Sequence, residues 1–230
     1  MDSNDLDDEL LVEEQIYHIH FASIFELTDL KEVSLHTTYR GKIYRSNGSI
    51  KPHELEFIGT ILLDIVHLQQ IKDLDFDMDF FLSCNVVNDL KLIFDRDKPK
   101  LTDAFLALQT KSIENSDILL IDKFFILPEF RGLNIGLKII ELLKFKFKHS
   151  CGLIVGLVEP FQFSVHYNEN FVEKNKEMTF DKFTKDKELA HYQLMNYFSK
   201  IQFLSANEIN SKIIYLNTND IDVNKLNFHI

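Results

Sequence analysis

The chain of 230 residues fits one ordinary domain, and its 45% hydrophobic fraction is enough to build a substantial core. The formal net charge is −11, and no dense basic patch interrupts it. Because tight nucleic-acid binding depends on Lys and Arg neutralising phosphates, a nucleic-acid partner is disfavoured. No stretch approaches the roughly 18 apolar residues of a membrane span, and the acidic residues 1–14 do not resemble a secretory signal. We therefore expect a cytoplasmic protein with no membrane partner.

The residue pattern of the N-terminal half predicts strands followed by a helix. Residues 17–21 are typical of a first strand. The pair Asn47-Gly48 favours the positive φ angles of a type I′ turn, so we expect a hairpin there. Residues 57–66 are rich in branched side chains and predict a buried strand. The apolar spacing over 73–94 is helical and predicts a helix that ends before the next proline.

One long apolar strand is predicted over 118–127, and only Asp122 and Lys123 interrupt it. Pro128 takes the chain out of the sheet, since proline cannot donate to a strand ladder. Residues 131–136 then form a polar turn that contains two glycines. The order of strand, proline and glycine turn predicts a central strand that ends in a tight loop.

An amphipathic helix is predicted over 137–148. Apolar residues follow one of its faces, and lysines, Lys144 among them, follow the other. Lysines in the second half of the helix complement the negative end of its dipole. Gly152 is placed to cap its C-terminus, and residues 153–158 predict the next strand.

The C-terminal part begins with a segment that has no clear period, over about 161–187, which we interpret as an insertion. A helix over 189–201 and a strand over 212–216 follow it. The sequence thus predicts an acidic, flexible N-terminus over 1–15 and a single domain over 16–230 that carries the insertion.

The turn between strand and helix has the composition of a phosphate-binding site. At a helix N-terminus the first amide groups have no acceptor within the helix, and the helix dipole adds partial positive charge. Gly132 and Gly136 let the backbone approach an anion closely because they have no Cβ atom. Arg131 adds a fixed positive charge. The pattern therefore predicts that residues 131–137 bind a phosphate group.

The stretch FFILPEFRGLNIG resembles the acetyl-CoA motif of the GNAT superfamily of N-acetyltransferases. That motif joins a strand ending in aliphatic-x-Pro to the pattern Arg/Gln-x-x-Gly-x-Gly/Ala. Arg131 and Gly136 match its first and last positions, and Asn134 stands where the middle glycine is usual. Asn tolerates left-handed backbone geometry better than other non-glycine residues, so the loop is expected to keep its shape. The resemblance covers 118–158 and, more loosely, 189–216.

A second similarity lies in the late helix. The family pattern is an aromatic residue, three further residues, then Gly-Phe, and here Gln202 replaces the glycine before Phe203. The tyrosine that often protonates the departing thiolate in this family would align with Phe198. Tyr197 lies one position earlier, about 100° around a helix, and is the candidate for this general acid.

The resemblance implies an α/β fold with a mixed, twisted central sheet flanked by helices on both faces. It implies direct transfer of an acetyl group from acetyl-CoA, the acyl donor, to an amine acceptor that the sequence does not identify. A bulge in the strand before the turn would leave an amide near the thioester carbonyl. Glu159, just beyond the next strand, is the candidate base for the amine. The implied acetyl-CoA ligands are Phe124, Phe125, Ile126, Leu127, Arg131, Gly132, Leu133, Asn134, Ile135, Gly136 and Leu137.

Two other functions stay open at the level of sequence. One is a degenerate GNAT-like module that binds CoA, or nothing, and serves as a regulatory or interaction domain. The residues that depart from the family pattern favour it: Asn134, Phe198 and Gln202. The other is an unrelated nucleotide-binding α/β domain. The oligomeric state also stays open, a homodimer included.

The chain contains few residues suited to metal or redox chemistry. His18 and His20 share one strand face and could bind a metal, but no carboxylate or cysteine stands at ligand spacing, so we expect no metal site. Cys84 and Cys151 lie in apolar surroundings outside any CxxC pair. We expect both to be reduced and structural.

Overall fold

The computed structural model describes residues 16–24, 36–46, 55–68, 70, 90–95, 97, 98, 100–163 and 183–221. They build an α/β structure around one seven-stranded sheet. Several predictions lie outside the described residues: the acidic segment 1–15, the Asn47-Gly48 turn, most of the helix over 73–94 and most of the insertion over 161–187.

The sheet is mixed, as the sequence predicts. Its strands are β1 (Ile16–Ile24), β2 (His36–Ser46), β3 (Glu56–Val66), β4 (Ile118–Ile126), β5 (Leu153–Leu157), β6 (Leu204–Ser205) and β7 (Ile213–Asn217). They lie in the order β1-β2-β3-β4-β5-β7-β6. β4 and β5 pair in parallel, and the other neighbouring strands of the described sheet pair antiparallel. The parallel pair therefore lies inside the sheet, next to the predicted glycine turn.

Three α-helices accompany the sheet in the described part of the chain: α1 (Asp103–Ala107), α2 (Ile135–Phe147) and α3 (Lys187–Ser199). Short 3₁₀ turns lie at Lys91–Ile93, Pro128–Phe130, Phe161–Phe163 and Thr218–Asp220. The N-termini of α1 and α3 are capped by Thr102 and Asp186, whose side chains accept hydrogen bonds from the first-turn amides. None of the described helices has the length and apolar content needed to cross a membrane.

Two apolar clusters lie on opposite faces of the sheet because alternate side chains of its buried strands point to opposite sides. One contains Leu119 and Ile121 of β4, and the inner face of α2 packs against it together with parts of α3. The other contains Ile118 and Leu120 and is covered by α1 and by the turn near Ile93. Most of the helical cover in the described residues thus lies on one face, while the five-residue α1 lies on the other.

Three local predictions were wrong. Lys91–Ile93 is a 3₁₀ turn, and Phe94 forms a β-bridge with Leu101 rather than ending a helix. Lys144 is only 1% exposed, and its Nζ donates to Glu141 Oε1 at 2.9 Å and to the Ile201 carbonyl at 3.1 Å. Gly152 is not among the residues with a positive φ, and a Cβ atom there would lie 1.8 Å from the Asn115 carbonyl oxygen. Gly152 is therefore required by close packing and not by a helix cap.

Candidate functional site

Two central strands separate beyond their paired segment. β4 and β5 pair over 118–121 and 153–156. β4 then continues to Ile126, whereas the next residues of the β5 segment lead away to Glu159 and Pro160. A cleft between two parallel strands therefore begins just after their last paired residues.

A β-bulge lies at the start of this cleft. In the β3–β4 pairing Leu62 faces Lys123 and Leu63 faces Ile121, so Asp122 is the extra residue on β4. Asp122 directly follows the last residue of β4 that pairs with β5. The polar pair that interrupts the apolar run in the sequence thus marks both the bulge and the point where the two strands part.

The loop after β4 contains two left-handed residues. Gly132 has a φ of 82° and Asn134 has a φ of 56°. Asn134 is the N-cap residue of α2, but its side chain makes no capping hydrogen bond. The left-handed geometry expected for Asn134 is therefore confirmed, and the amides that begin α2 are not satisfied by the side chain of the cap residue.

The side chain of Arg131 is fixed beside this loop. Its Nε donates a hydrogen bond to the Ile126 carbonyl at 2.9 Å, and its guanidinium carbon lies 5.0 Å from the ring centroid of Phe183. Burial lowers the pKa of Arg131, and the charge of Glu129 raises it by less. The guanidinium still stays protonated at neutral pH, because an arginine side chain is not deprotonated in proteins.

Tyr197 of α3 reaches the first turn of α2. Its hydroxyl oxygen would lie 2.3 Å from a Cβ atom built at Gly136. Burial raises the pKa of Tyr197, and the nearby backbone at Leu137 lowers it by less. The tyrosine proposed as a general acid therefore lies against the helix start that was predicted to bind phosphate.

A cavity of about 380 Å³ joins the cleft, the loop and α3. Its lining is rich in aromatic rings, which come from β4, the loop and α3. The predicted site residues that line it are Phe124, Phe125, Ile126, Arg131, Gly132, Asn134, Ile135, Gly136, Glu159 and Tyr197. The structure thus brings both predicted catalytic residues and most predicted ligands to one space.

Three predicted ligands are not part of this lining: Leu127, Leu133 and Leu137. The amide of Leu127 donates to the Ile58 carbonyl at 2.9 Å and so belongs to the sheet. The side chain of Leu133 is 54% exposed and lies outside the cavity. The side chain of Leu137 packs, partly buried, against the apolar cluster that contains Leu119 and Ile121.

Glu159 is held by a neighbouring cation. Its Oε1 lies 3.3 Å from the Nζ of Lys212, at the beginning of the segment that enters β7. A carboxylate has two acceptor oxygens, so one that is ion-paired keeps the capacity to accept further hydrogen bonds. Glu159 also lies at the wall of the cavity.

Sequence reasoning missed several residues of the lining, among them Asp122, Gln162, Phe183 and Gln193. Asp122 had a usable signal, since it interrupts an apolar strand. The other three had none, because their positions depend on how α3 and the turn after β5 pack against the cleft.

Comparisons of this chain with protein-family models, with curated proteins and with solved structures found no match. The described residues also contain no group of three or more His, Cys, Asp and Glu side chains that could hold a metal ion. In β1, His18 Nε2 is hydrogen-bonded to Ser46 Oγ at 3.0 Å, and the His20 ring lies 4.9 Å from the Tyr44 ring.

Proposed function

We propose that this chain is an acetyl-CoA-dependent N-acetyltransferase of the GNAT type, acting in the cytoplasm. One observation carries the proposal: the cavity extends from the gap between β4 and β5 to the uncapped start of α2. A thioester arm can lie along a strand edge in that gap, while a diphosphate meets amides and Arg131 at the helix start. The GNAT resemblance predicts this arrangement of donor and helix.

Backbone conformation gives independent support. Within the described residues, the non-glycine residues with a positive φ are Asn134 at 56° and Gln202 at 71°. These are the two positions at which the GNAT pattern has glycine and this chain does not. Glycine is the residue that adopts a positive φ at least cost. The backbone thus keeps, at both positions, a shape that favours the family residue.

The proposed reaction is direct attack of a neutral amine on the thioester carbonyl of acetyl-CoA. The C–N bond forms, the C–S bond breaks, and CoA leaves as the thiol. An amide at the β4 bulge would stabilise the negative charge on the carbonyl oxygen. Glu159 would accept the proton of the amine, and Tyr197, one position before the residue that aligns with the family's tyrosine, would protonate the thiolate. Binding the two substrates side by side supplies proximity.

The first experiment is calorimetric titration with acetyl-CoA and with ATP, followed by a thiol-release assay over a panel of amines. We expect acetyl-CoA to bind and ATP to bind far more weakly. Arg131→Ala should weaken acetyl-CoA binding roughly tenfold, the effect of losing one hydrogen bond to a charged group. Arg40→Ala, at an exposed residue of β2, is the matched control and should leave the affinity for acetyl-CoA unchanged.

Two results would contradict the proposal. Equal binding of ATP and acetyl-CoA would favour an unrelated nucleotide-binding domain. Binding of acetyl-CoA with no thiol release for any amine would favour a degenerate CoA-binding module. The second alternative is supported by one observation, since the hydroxyl of Tyr197 lies against the first turn of α2 at Gly136.

A further inference from the structure

Three polar side chains form a hydrogen-bonded row at one end of the sheet. Thr37 belongs to β2, His67 directly follows β3, and Asp117 directly precedes β4. Thr37 Oγ1 lies 2.9 Å from His67 Nε2, and His67 Nδ1 lies 3.1 Å from Asp117 Oδ2. The row therefore joins a hydroxyl, an imidazole and a carboxylate in the order that nucleophilic catalysis uses.

The register of the sheet brings these residues together. Val66 of β3 pairs with Ile118 of β4, and on its other side with the first residue of β2. The three residues of the row are therefore neighbours at the same end of three adjacent strands. The cavity contacts β4 from Ile121 onward, so it lies beyond the opposite end of the paired segment.

The three side chains also share one face of the sheet. Alternate residues of a strand point to the same side. Each residue of the row is two positions from a residue that packs in the apolar cluster under α2, namely Tyr39, Ile65 and Leu119. The pleat therefore places the hydroxyl, the imidazole and the carboxylate on the α2 face.

The backbone holds both ends of the row. The Asp117 amide donates to Asn115 Oδ1 at 2.9 Å, and the Asp117 carbonyl accepts from the Gly152 amide at 2.9 Å. Thr37 is β-branched, and its strand pairs with β3 at Ile65, so its side chain has few alternative rotamers. A constellation fixed to strands keeps its geometry better than one on loops.

Hydrogen-bonding capacity sets the direction of the two bonds. A carboxylate oxygen only accepts, so Nδ1 of the His67 ring carries the proton that it donates to Asp117. Nε2 of the neutral ring is then an acceptor, and the Thr37 hydroxyl is its donor. His67 is thus oriented to take the hydroxyl proton when the oxygen attacks an electrophile.

We infer that Thr37, His67 and Asp117 form a second catalytic site, a triad that hydrolyses small esters. The side chains of His67 and Asp117 are 19% and 17% exposed, and Thr37 is half-buried, so a small ester can reach the row from solvent. Thr37 is the nucleophile, His67 carries the proton, and Asp117 is a positioning residue. The inference does not depend on the proposed acetyltransferase function.

The reaction has two balanced steps. Thr37 Oγ1 attacks the ester carbonyl, the bond to the departing alcohol breaks, and the hydroxyl proton passes through His67 Nε2 to that alcohol. The acyl group is then an ester of Thr37. Water attacks this ester, gives a proton to Nε2, and the bond to Oγ1 breaks, so that the proton returns to Thr37 and the acid is released.

The test treats the full chain with p-nitrophenyl acetate, stops the reaction with acid, and locates the acetyl group by peptide mass spectrometry. We expect an acetyl ester on Thr37 in the wild type and in Thr37→Ser, and none at this position in Thr37→Val. His67→Gln should slow its formation roughly a hundredfold or more, because glutamine can hydrogen-bond but cannot take the proton. Asp117→Asn should lower kcat for ester hydrolysis and leave KM unchanged.

Thr60→Val is the matched control, because Thr60 is half-buried on the adjacent strand β3. It should leave both the acetyl ester on Thr37 and the rate unchanged, and circular dichroism should show every variant folded. Absence of an ester on Thr37 in wild type and Thr37→Ser would overturn the inference. So would an ester that forms equally fast in His67→Gln, because the row would then only stabilise the sheet. Acetyl-CoA titration of Thr37→Val should match the wild type, so this site and the cavity can fail separately.

Discussion

Asp64 is a carboxyl group that the fold has removed from water. It lies in β3 with 3% of its surface exposed, and its Oδ1 accepts a hydrogen bond from Thr38 Oγ1. Burial raises the pKa of Asp64, and the Thr38 hydrogen bond and the charges of His36 and Lys123 lower it by less. The folded state therefore favours the protonated carboxyl, and ionisation at neutral pH destabilises the fold.

We predict that Asp64→Asn raises the melting temperature at pH 7, because asparagine is neutral and still accepts from Thr38. When folding raises the pKa of a carboxyl group, the protein loses stability as the pH rises from the unfolded-state pKa, about 3.9, through the folded-state pKa. The gain should therefore shrink as the pH falls and vanish below that window. Thermal melts from pH 3 to pH 8 measure it.

The control for this experiment is Asp97→Asn, since Asp97 is exposed. This substitution should leave the difference in melting temperature between pH 3 and pH 7 unchanged. A loss of stability in Asp64→Asn at pH 7 would mean that the ionised carboxylate has a stabilising partner, and the prediction would be wrong.

At the scale of elements, the end of α3 has a backbone geometry at position 202 that would suit a glycine. The amide of Phe203 donates to the Phe198 carbonyl at 3.4 Å, and the amide of Gln202 donates to the Ser199 carbonyl at 3.1 Å. This pair of bonds is a Schellman motif, with Gln202 as its left-handed residue. The rings of Phe198 and Phe203 lie 5.7 Å apart and form the apolar contact that accompanies the motif.

We predict that Gln202→Gly stabilises the protein by about 1 kcal/mol, because a non-glycine residue costs roughly 1–2 kcal/mol in the left-handed region. For a domain of this size that corresponds to roughly 2–4 °C in melting temperature. Urea unfolding and thermal melts measure the change.

Lys200→Gly is the matched control at the same helix end. Lys200 has a φ of −61°, which any residue adopts, so glycine there only adds flexibility and should destabilise by roughly 0.5–1 kcal/mol. If both substitutions destabilise, the left-handed geometry of Gln202 carries no strain.

The parts of the fold that were predicted are those with local signals. Branched runs identify β3 and β4, and the helical period of α2 identifies its buried face. Asp122 and Lys123 interrupt the apolar run at the bulge, a local signal that the predictions did not use. These signals act within a few residues and so are readable from one sequence.

The predictions that were wrong depend on distant residues. The helical period places Lys144 on the solvent-facing side of α2. Its ammonium is nevertheless buried, because it donates a hydrogen bond to the carbonyl of Ile201, 57 residues away. Gly152 resembles a helix cap in position, but the approaching carbonyl of Asn115 is what excludes a side chain. Neither contact produces a periodic pattern in the sequence. Tyr197 is an intermediate case. Its residue type made it a candidate in the sequence, but its position against the start of α2 was not predicted.

At the scale of the whole molecule, the two apolar clusters are built on opposite faces of the same buried strands. Separating these strands to expose one cluster therefore exposes the other. Leu119 and Ile154 belong to one cluster, while their neighbours Leu120 and Val155 belong to the other. Domains with such shared cores unfold cooperatively. Cys151, fully buried between α2 and β5, is placed to report on that cooperativity.

We predict that Cys151 reacts with a thiol reagent only when the whole domain unfolds. Burial, with a smaller contribution from the charge of Asp117, raises its pKa to about 12, and the reactive thiolate is almost absent at pH 8.

The measurement uses the Cys84→Ser background, so that Cys151 is the single thiol. Its labelling rate in increasing urea should follow the global unfolding equilibrium. The comparison is Ser150→Cys in a background where both native cysteines are serine, because Ser150 is exposed and adjacent. That thiol should be labelled without urea. Labelling of Cys151 at a comparable rate in native protein would show that α2 and β5 separate locally, and the cooperative description would then fail.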